Sequence, residues 1–461
     1  MALDRQEYPR EGSGVPGRLR RGLRVLRDWR LTAAWMRSLA RSAVTSFLVL
    51  AATLWLLPGV DSSGLVSMLW LVVLVAGVGT VLRPVLLACA SVLGGYGALL
   101  LGFLVQAIVM YVALSLDPNA HVSSFAMAFV ASWVAAALSA LVNWLADAGT
   151  DEAFLNETLR RMTRGRRTGA PRQPGLLIVQ LDGVSEPLLR WALRAGNLPH
   201  IGQWLRSGRY RLRSWHTGIP STTPASQAGL LHGDVTQVPA FRWYEKETRR
   251  LVVTNRPRDA AEVERRISTG NGLLGHGGVS VSNVFSGDAP VSLLTVSSAS
   301  LPGRSARGYA AFMTSPYGFA RAFVLALGEM LKEWHQARLQ RRRDVLPRVP
   351  RGGAYVALRP VTTVLLRDLT VSLVAEQMAK GAPTLYCDFV GYDEVAHHAG
   401  PARPESMFAL EELDRVVGIL DRLAAEGGAR DYRIVVLSDH GQSQGTTFYQ
   451  RFGESLEHMI R

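Results

Sequence analysis

The sequence predicts two unlike folding units in one chain, an α-helical transmembrane bundle followed by a doubly wound α/β domain. Three observations carry this reading. Apolar residues concentrate between positions 43 and 145. After residue 174 the pattern changes to short apolar strands alternating with helical stretches, which is how a parallel sheet with helices on both faces is written. The carboxylates and histidines of this second half directly follow those strands, where open parallel sheets place their chemistry. A chain of 461 residues has room for both units at roughly 150 residues per domain.

Residues 43–57, 65–82, 92–116 and 125–145 are apolar runs near the ~20 residues that cross ~30 Å of hydrocarbon, which predicts about four spans. Residues 84–116 are too long for one upright span, so 84–94 is expected to be re-entrant or interfacial. Ten arginines, from Arg5 to Arg41, precede the first run; Arg83 lies between the second and third; Arg160, Arg161, Arg164, Arg166 and Arg167 follow the fourth. Loops 58–64 and 117–122 hold no Lys or Arg. Because positive loops stay inside, the expectation is a multi-pass protein of the cell membrane with both termini and the second unit cytoplasmic. Within 18–41, Leu19, Leu23, Leu26, Trp29, Ala33, Met36 and Leu39 recur at helical spacing among arginines, as in a helix lying on anionic lipid headgroups. The expected units are therefore a basic amphipathic segment (1–42), the bundle (43–146), a polar linker that begins as a helix extension (147–174) and the α/β domain (175–461).

The net charge of +14 comes from arginine, since Lys246, Lys332 and Lys380 are the only lysines, a usage typical of GC-rich bacterial genomes. Lipid contact and topology account for it better than nucleic acid, which is not an expected partner: no nucleic-acid module is visible. The basic run 338–351 has prolines and no interleaved aromatics, so it reads as a solvated or membrane-facing loop. Cys89 and Cys387 are too few for a disulfide framework. No short apolar core with a small-residue cleavage site follows the first arginines, so no removable signal peptide is expected.

In the second half, strands are predicted at 175–181, 384–390 and 432–437, with helices at 185–194, 319–334 and 404–425. Asp182 ends the first strand, Asp393 and His397 follow the second, and Asp439-His440-Gly441 ends the third. Carboxylate with imidazole suits zinc or, less specifically, manganese, and two ions ~3.5–4 Å apart clamp both oxygens of an in-line phosphoryl displacement. Gly218-Ile-Pro-Ser-Thr-Thr-Pro-Ala-Ser226 supplies hydroxyls, which a metal can ionise near neutral pH to form a phospho-enzyme. Singly, each element is an ordinary turn, loop or surface pair. Their order, each placed after a strand, is what points to phosphate-ester chemistry. Gly270-Asn-Gly-Leu-Leu-Gly275 satisfies G-x-G-x-x-G but follows a charged helical stretch at 260–267, so it is no dinucleotide fingerprint. With His276 it forms either a loop near the substrate or a plain surface loop.

On these motifs, residues 175–445 resemble the alkaline-phosphatase superfamily and, within it, the nucleotide pyrophosphatase/phosphodiesterase branch. The resemblance implies that Asp182, Asp439 and His440 hold one zinc together with the nucleophile, and that Asp393 and His397 hold a second. It also places the nucleophilic threonine two residues before a proline, which selects Thr222 over Thr223. Asn197-Leu-Pro-His-Ile201 looks like a family segment that serves packing. The family's second site takes a further histidine in a Gly/His-rich segment; 21 residues follow His440, and His458 lacks that setting, so a C-terminally truncated domain is expected. Residues 39–145 resemble a small four-helix phage-holin-like family through Leu56-Leu57-Pro58-Gly59-Val60 and Leu82-Arg83-Pro84. Together these imply a membrane-anchored metal-dependent phosphodiesterase or phosphatase, its substrate a phosphate ester whose identity the sequence leaves open. The alternatives are a phospho-headgroup transferase, and a holin-like protein whose hydrolase domain is inactive.

Overall fold

The computed structural model describes residues 33–57, 60–62, 64–92, 94–147, 154–156, 158–160, 162, 173–299, 316–345, 351–426 and 429–461. Most of the basic amphipathic segment, residues 1–32, lies outside them.

The first half is helical: α1 (Ala33–Leu56), α2 (Leu65–Val92), α3 (Gly94–Leu116) and α4 (Phe125–Asp147), with two short strands, β1 (Val60–Ser62) and β2 (Ala120–Val122). Leu50, Leu54, Leu71, Met110, Leu114 and Ala131 bring the four helices together. β1 and β2 pair antiparallel, Val60 opposite Val122, so the two loops without Lys or Arg meet at one end of the bundle. Near it, the Ser67 hydroxyl donates to buried Asp117 at 2.8 Å. Among the described residues, one stretch, Phe125–Val142, is long and apolar enough to cross a membrane; Val44–Leu56, Val66–Leu82 and Leu104–Leu116 are shorter apolar helices. The expected break at 84–94 differs from the structure, where α2 runs on past Pro84 to Val92. A helix tolerates proline when neighbouring helices and local adjustment re-satisfy the freed carbonyl.

The second half is built on a five-stranded sheet of order β7-β6-β8-β3-β9, every pair parallel. Its strands are β3 (Gly175–Leu181), β6 (Val279–Val281), β7 (Val291–Leu293), β8 (Thr384–Phe389) and β9 (Tyr432–Leu437). β3, β8 and β9 match the sequence reading. β6 and β7 escaped it because three residues are too few to show a period. A hairpin of β4 (Arg242–Glu245) and β5 (Arg250–Val253) stands apart from this sheet.

Helices cover both faces: α5 (Glu186–Ala195), α6 (Pro199–Arg206), α7 (Thr223–His232), α8 (Pro257–Ile267), α9 (Pro316–Arg342), α10 (Tyr355–Pro360) continuing into a π-helical turn (Val361–Leu366), α11 (Arg367–Lys380), α12 (Gly391–Ala399), α13 (Pro404–Glu426), α14 (Phe448–Phe452) and α15 (Leu456–Ile460). Alternation along β3 decides which face each meets. Leu177, Val179 and Leu181 pack with α5, α6, α11 and α13. Ile178 packs with α7 and α8.

Two further expectations are corrected. The linker is not wholly polar and loose: Phe154, Leu155 and Met162 are buried in the α/β core, apolar area that a solvated linker would leave in water. The basic run 338–351 is not all solvated either. Its first residues are helical, and Arg351 is buried, donating to Glu333 at 2.7 and 2.6 Å, to Gln340 at 3.0 Å and to Glu405 at 2.9 Å; an arginine out of water requires such partners. The helix α9 meets the bundle, Phe323 standing edge-on to Trp133 of α4 with ring centroids 5.0 Å apart. The G-x-G-x-x-G stretch is a loop between α8 and β6, where a Cβ on Gly272 would lie 2.5 Å from the Gly287 carbonyl oxygen.

Candidate active site

Register brings the motif residues level. Gln180 lies opposite both Asp388 and Leu437, so the chain leaves β3, β8 and β9 on one rim of the sheet. Asp182 follows β3, and its N–H donates to the Phe389 carbonyl at 3.3 Å. Gly183 then turns with φ +73°, and a Cβ there would stand 2.1 Å from Asp393 Oδ1. The Asp-Gly pair thus serves two needs, a left-handed backbone and room for a carboxylate from α12, the helix that follows β8. The Gly183 N–H donates to Asp439 Oδ1 at 3.2 Å, and Ser438 Oγ accepts from the Val184 N–H at 3.0 Å, fastening β9 to β3.

Asp182, Asp439 and His440 converge, offering ligand atoms that all lie within 4.8 Å of one another. His440 Nε2 is 3.5 Å from Asp182 Oδ1 and 3.6 Å from Asp439 Oδ2. Asp393 and His397 sit on α12 at i and i+4, 3.1 Å apart, and Gln442 Nε2 donates to Asp393 Oδ1 at 2.6 Å. The His397 side chain is 62% exposed, whereas Asp439 is fully buried.

Thr222 is the N-cap of α7, yet its side chain caps nothing. A threonine there ordinarily accepts from an N–H in the first turn. Its Oγ1 is instead buried without a hydrogen-bond partner. Thr223, which the sequence reading passed over, has its hydroxyl 3.1 Å from His440 Nε2 and 3.4 Å from Asp182 Oδ1. His458 is 79% exposed on α15 and pairs with Glu454 at 3.8 Å. Asn197, His200 and Ile201 do pack: the Asn197 amide donates to Glu411, and the His200 and Ile201 N–H groups donate to Asp414, each at 2.9 Å.

Asp388 was missed. It is 2% exposed, its Oδ2 accepts from Gln227 Nε2 at 3.0 Å, and its Oδ1 has no partner. A lone acid inside the apolar run Thr-Leu-Tyr-Cys-Asp-Phe was the available signal. Gln442, two residues past the Asp-His pair, was missed as well.

Electrostatically the site asks for positive charge. Burial, then Asp388, Asp439 and Asp393 in turn, hold the Asp182 carboxyl well above the usual range. Asp388 is pushed up by burial and by Asp439 and Asp393. Asp439 is raised by burial, against the pull of His440 and the Gly183 N–H. Burial pushes Asp393 up too, but His397, Gln442 and His440 more than offset it and leave it low; the same contact with Asp393 raises His397. Like charges this close disfavour joint ionisation, and a cation reverses that. Asp439 Oδ2, buried without a hydrogen bond inside the converged set of carboxylate oxygens and an imidazole nitrogen, fits a divalent ion.

Residues 176–459 match the family model described as type I phosphodiesterase / nucleotide pyrophosphatase. The chain belongs to that family. Its α/β half is thereby a domain of phosphate-ester hydrolases, and the parallel sheet with chemistry at one rim is the fold expected of the alkaline-phosphatase superfamily. Residues 36–141 match the model described as mycobacterial 4 TMS phage holin, superfamily IV, to which the helical half is similar and which associates this chain with a membrane. No curated protein and no solved structure matches the chain.

Proposed function

We propose that the chain is a membrane-anchored, metal-dependent phosphodiesterase or phosphatase in which Thr222 is the nucleophile. The observation that carries this is the Thr222 hydroxyl, buried and without a hydrogen bond at the N-cap of α7, one residue before Thr223, whose own hydroxyl reaches His440 and Asp182 of the converged Asp182–Asp439–His440 set. Asp182, Asp439, His440 and Thr222 would hold one divalent ion and Asp393 with His397 a second, zinc being the best fit to oxygen with imidazole. Such ions supply Lewis-acid stabilisation of the phosphoryl oxygens and lower the pKa of a bound hydroxyl.

The chain's own groups do the rest. Thr222 Oγ1 gives up its proton and forms the bond to phosphorus as the ester bond breaks, the departing oxygen leaves as the alcohol with a proton, and water then cleaves the phospho-threonine, one of its protons returning to Oγ1. The first N–H groups of α7 face the developing negative charge. His440, its side chain 10% exposed among carboxylates, stays oriented by Asp182 and Asp439. Thr223 is the specific rival nucleophile because its hydroxyl already touches His440 and Asp182.

The topology we propose has four spans with both termini and the hydrolase domain cytoplasmic; the meeting of the two arginine-free loops in β1 and β2 supports placing them on one side. A reporter fused after Arg167 that is active only outside the cytoplasm would overturn it. The enzymatic test is hydrolysis of bis(p-nitrophenyl) phosphate and p-nitrophenyl phosphate by the detergent-purified chain, with and without zinc, beside Thr222→Ala and Thr223→Ala. Zinc-dependent turnover abolished only by Thr222→Ala supports the assignment; abolition only by Thr223→Ala moves the nucleophile by one residue, and turnover indifferent to both sinks the covalent mechanism.

A further inference from the structure

Two grooves on the β9 side of the domain adjoin at Leu212 and Arg213 and are taken together as one track. The first, of about 360 Å³, begins at His440 and Gly441 and is walled by α5 and the loop after α6. The second, of about 800 Å³, continues past the far side of the same loop.

The track is cationic along its length. Arg190, Arg194, Arg211 and Arg213 line it, against Glu186 as the acid among the lining residues. Glu186 pairs with Arg190 one turn away on α5. Arg194, Arg211 and Arg213 have no carboxylate partner among the described residues. Three free guanidinium groups along a path that ends at the metal-binding set will attract a ligand whose negative charges repeat.

What the track lacks narrows the ligand. Stacking platforms, the usual means of holding nucleic-acid bases, are scarce. Tyr210 is already stacked on Trp204, centroids 4.1 Å apart, with Arg209 over its ring at 5.4 Å. Trp215 is 48% exposed at the mouth, but its indole N–H is tied to the Ser438 carbonyl at 3.2 Å, so it anchors the loop beside His440. The other walls of the second groove are aliphatic, from Leu193, Leu205 and Leu212, while the first groove adds His216 and the hydroxyls of Ser185, Ser214 and Thr217.

From this, resting on the hydrolase reading above, we propose that the substrate is a linear polymer of phosphodiesters joined by aliphatic linkers. One phosphate sits at the Asp182–Asp439–His440 set, and the following ones lie over Arg213, Arg211 and Arg194. Charge and apolar contact, without base stacking, give the recognition.

The test is binding of a fluorescein-labelled glycerol-phosphate hexamer to the detergent-purified full chain in EDTA, followed by anisotropy over a salt series. No turnover is involved, so this result stands or falls separately from the nucleophile assignment. The R194Q/R211Q/R213Q chain is expected to bind at least about tenfold more weakly at low salt, its log–log salt slope shallower by about two units. R341Q/R342Q/R343Q, which removes the same charge from the exposed end of α9, is expected to bind like the parent. Equal losses in both triples, or none in either, would overturn the proposal. Tighter binding of labelled hexathymidylate would overturn it in favour of a base-stacking nucleic-acid groove, and loss of phosphatidylglycerol-micelle binding without loss of hexamer binding in favour of a bilayer contact.

Discussion

The two halves of the candidate site are built differently. Asp182 and Asp439-His440 ride on neighbouring parallel strands and are nearly closed to water, locked by Gly183 N–H to Asp439 and Val184 N–H to Ser438. Asp393 and His397 ride on one turn of α12, with His397 largely in solvent and Asp393 steadied by Gln442. Strand ends fixed by a ladder hold geometry before any ion binds. A helix-borne pair open to water gains its geometry largely from the partner it binds. The strand-borne half should therefore behave as a preorganised site and the helix-borne half as an adjustable one.

The largest expected effect falls on the preorganised half: if Thr222 is the nucleophile, as we propose, Thr222→Ala lowers kcat for bis(p-nitrophenyl) phosphate by at least about a thousandfold, since a covalent nucleophile has no substitute. A residual rate within tenfold of the parent would place the chemistry elsewhere. Gly183→Ala should come next, because the new Cβ meets Asp393 Oδ1 and the backbone stays left-handed. The expected cost is about 2 kcal/mol of stability, read as a shifted denaturation midpoint. An unchanged midpoint would mean that the two halves are not packed as described.

On the adjustable half, Gln442→Ala should weaken zinc binding by about tenfold in calorimetry, as loss of a hydrogen bond to a ligating carboxylate does elsewhere. Loss of the tighter of two binding events, with the weaker one intact, would invert the comparison. The smallest effect concerns pH. Asp182, Asp388 and Asp439 have folded pKa values above their unfolded ones, so they favour the folded metal-free chain in acid, and that contribution disappears as pH rises through the raised values. Asp393 works the opposite way, adding stability above its unfolded pKa. Asp393 contributes equally at pH 5.5 and pH 8, both above its unfolded pKa, whereas the three raised carboxyls, joined by the raised His397, predict that the metal-free domain melts lower at pH 8 than at pH 5.5, and that zinc narrows the difference. A metal-free melting temperature that climbs with pH would show that the carboxyl cluster is not as crowded as its geometry implies.

Much of this was legible in residue order. Strands β3, β8 and β9 announce themselves as apolar runs closed by Asp-Gly, by a helix carrying Asp393 and His397, and by Asp439-His440, and α13 is a long amphipathic stretch. β6 and β7 were not, being three residues each and recognisable only by the neighbours they pair with. Arg351 read as part of a basic loop because its partners Glu333 and Glu405 are 18 and 54 residues away. Phe154 and Met162 read as linker for the same reason: few apolar residues in a polar stretch show no period.

By itself, then, the sequence determined the chemical inventory and the order in which it arrives: apolar helices first, then carboxylates and histidines at the ends of strands. Such properties are local, fixed by residue type and short-range periodicity. The tertiary structure decided which of them share a site. Asp388 joins Asp182 because β8 pairs with β3 in one register, Thr223 and Thr222 face different surroundings because α7 starts between them, and Arg213 reaches the path to His440 because the Trp215 indole ties its loop to β9. Each is a contact between residues far apart in the chain, set by packing and strand register, which no local pattern encodes.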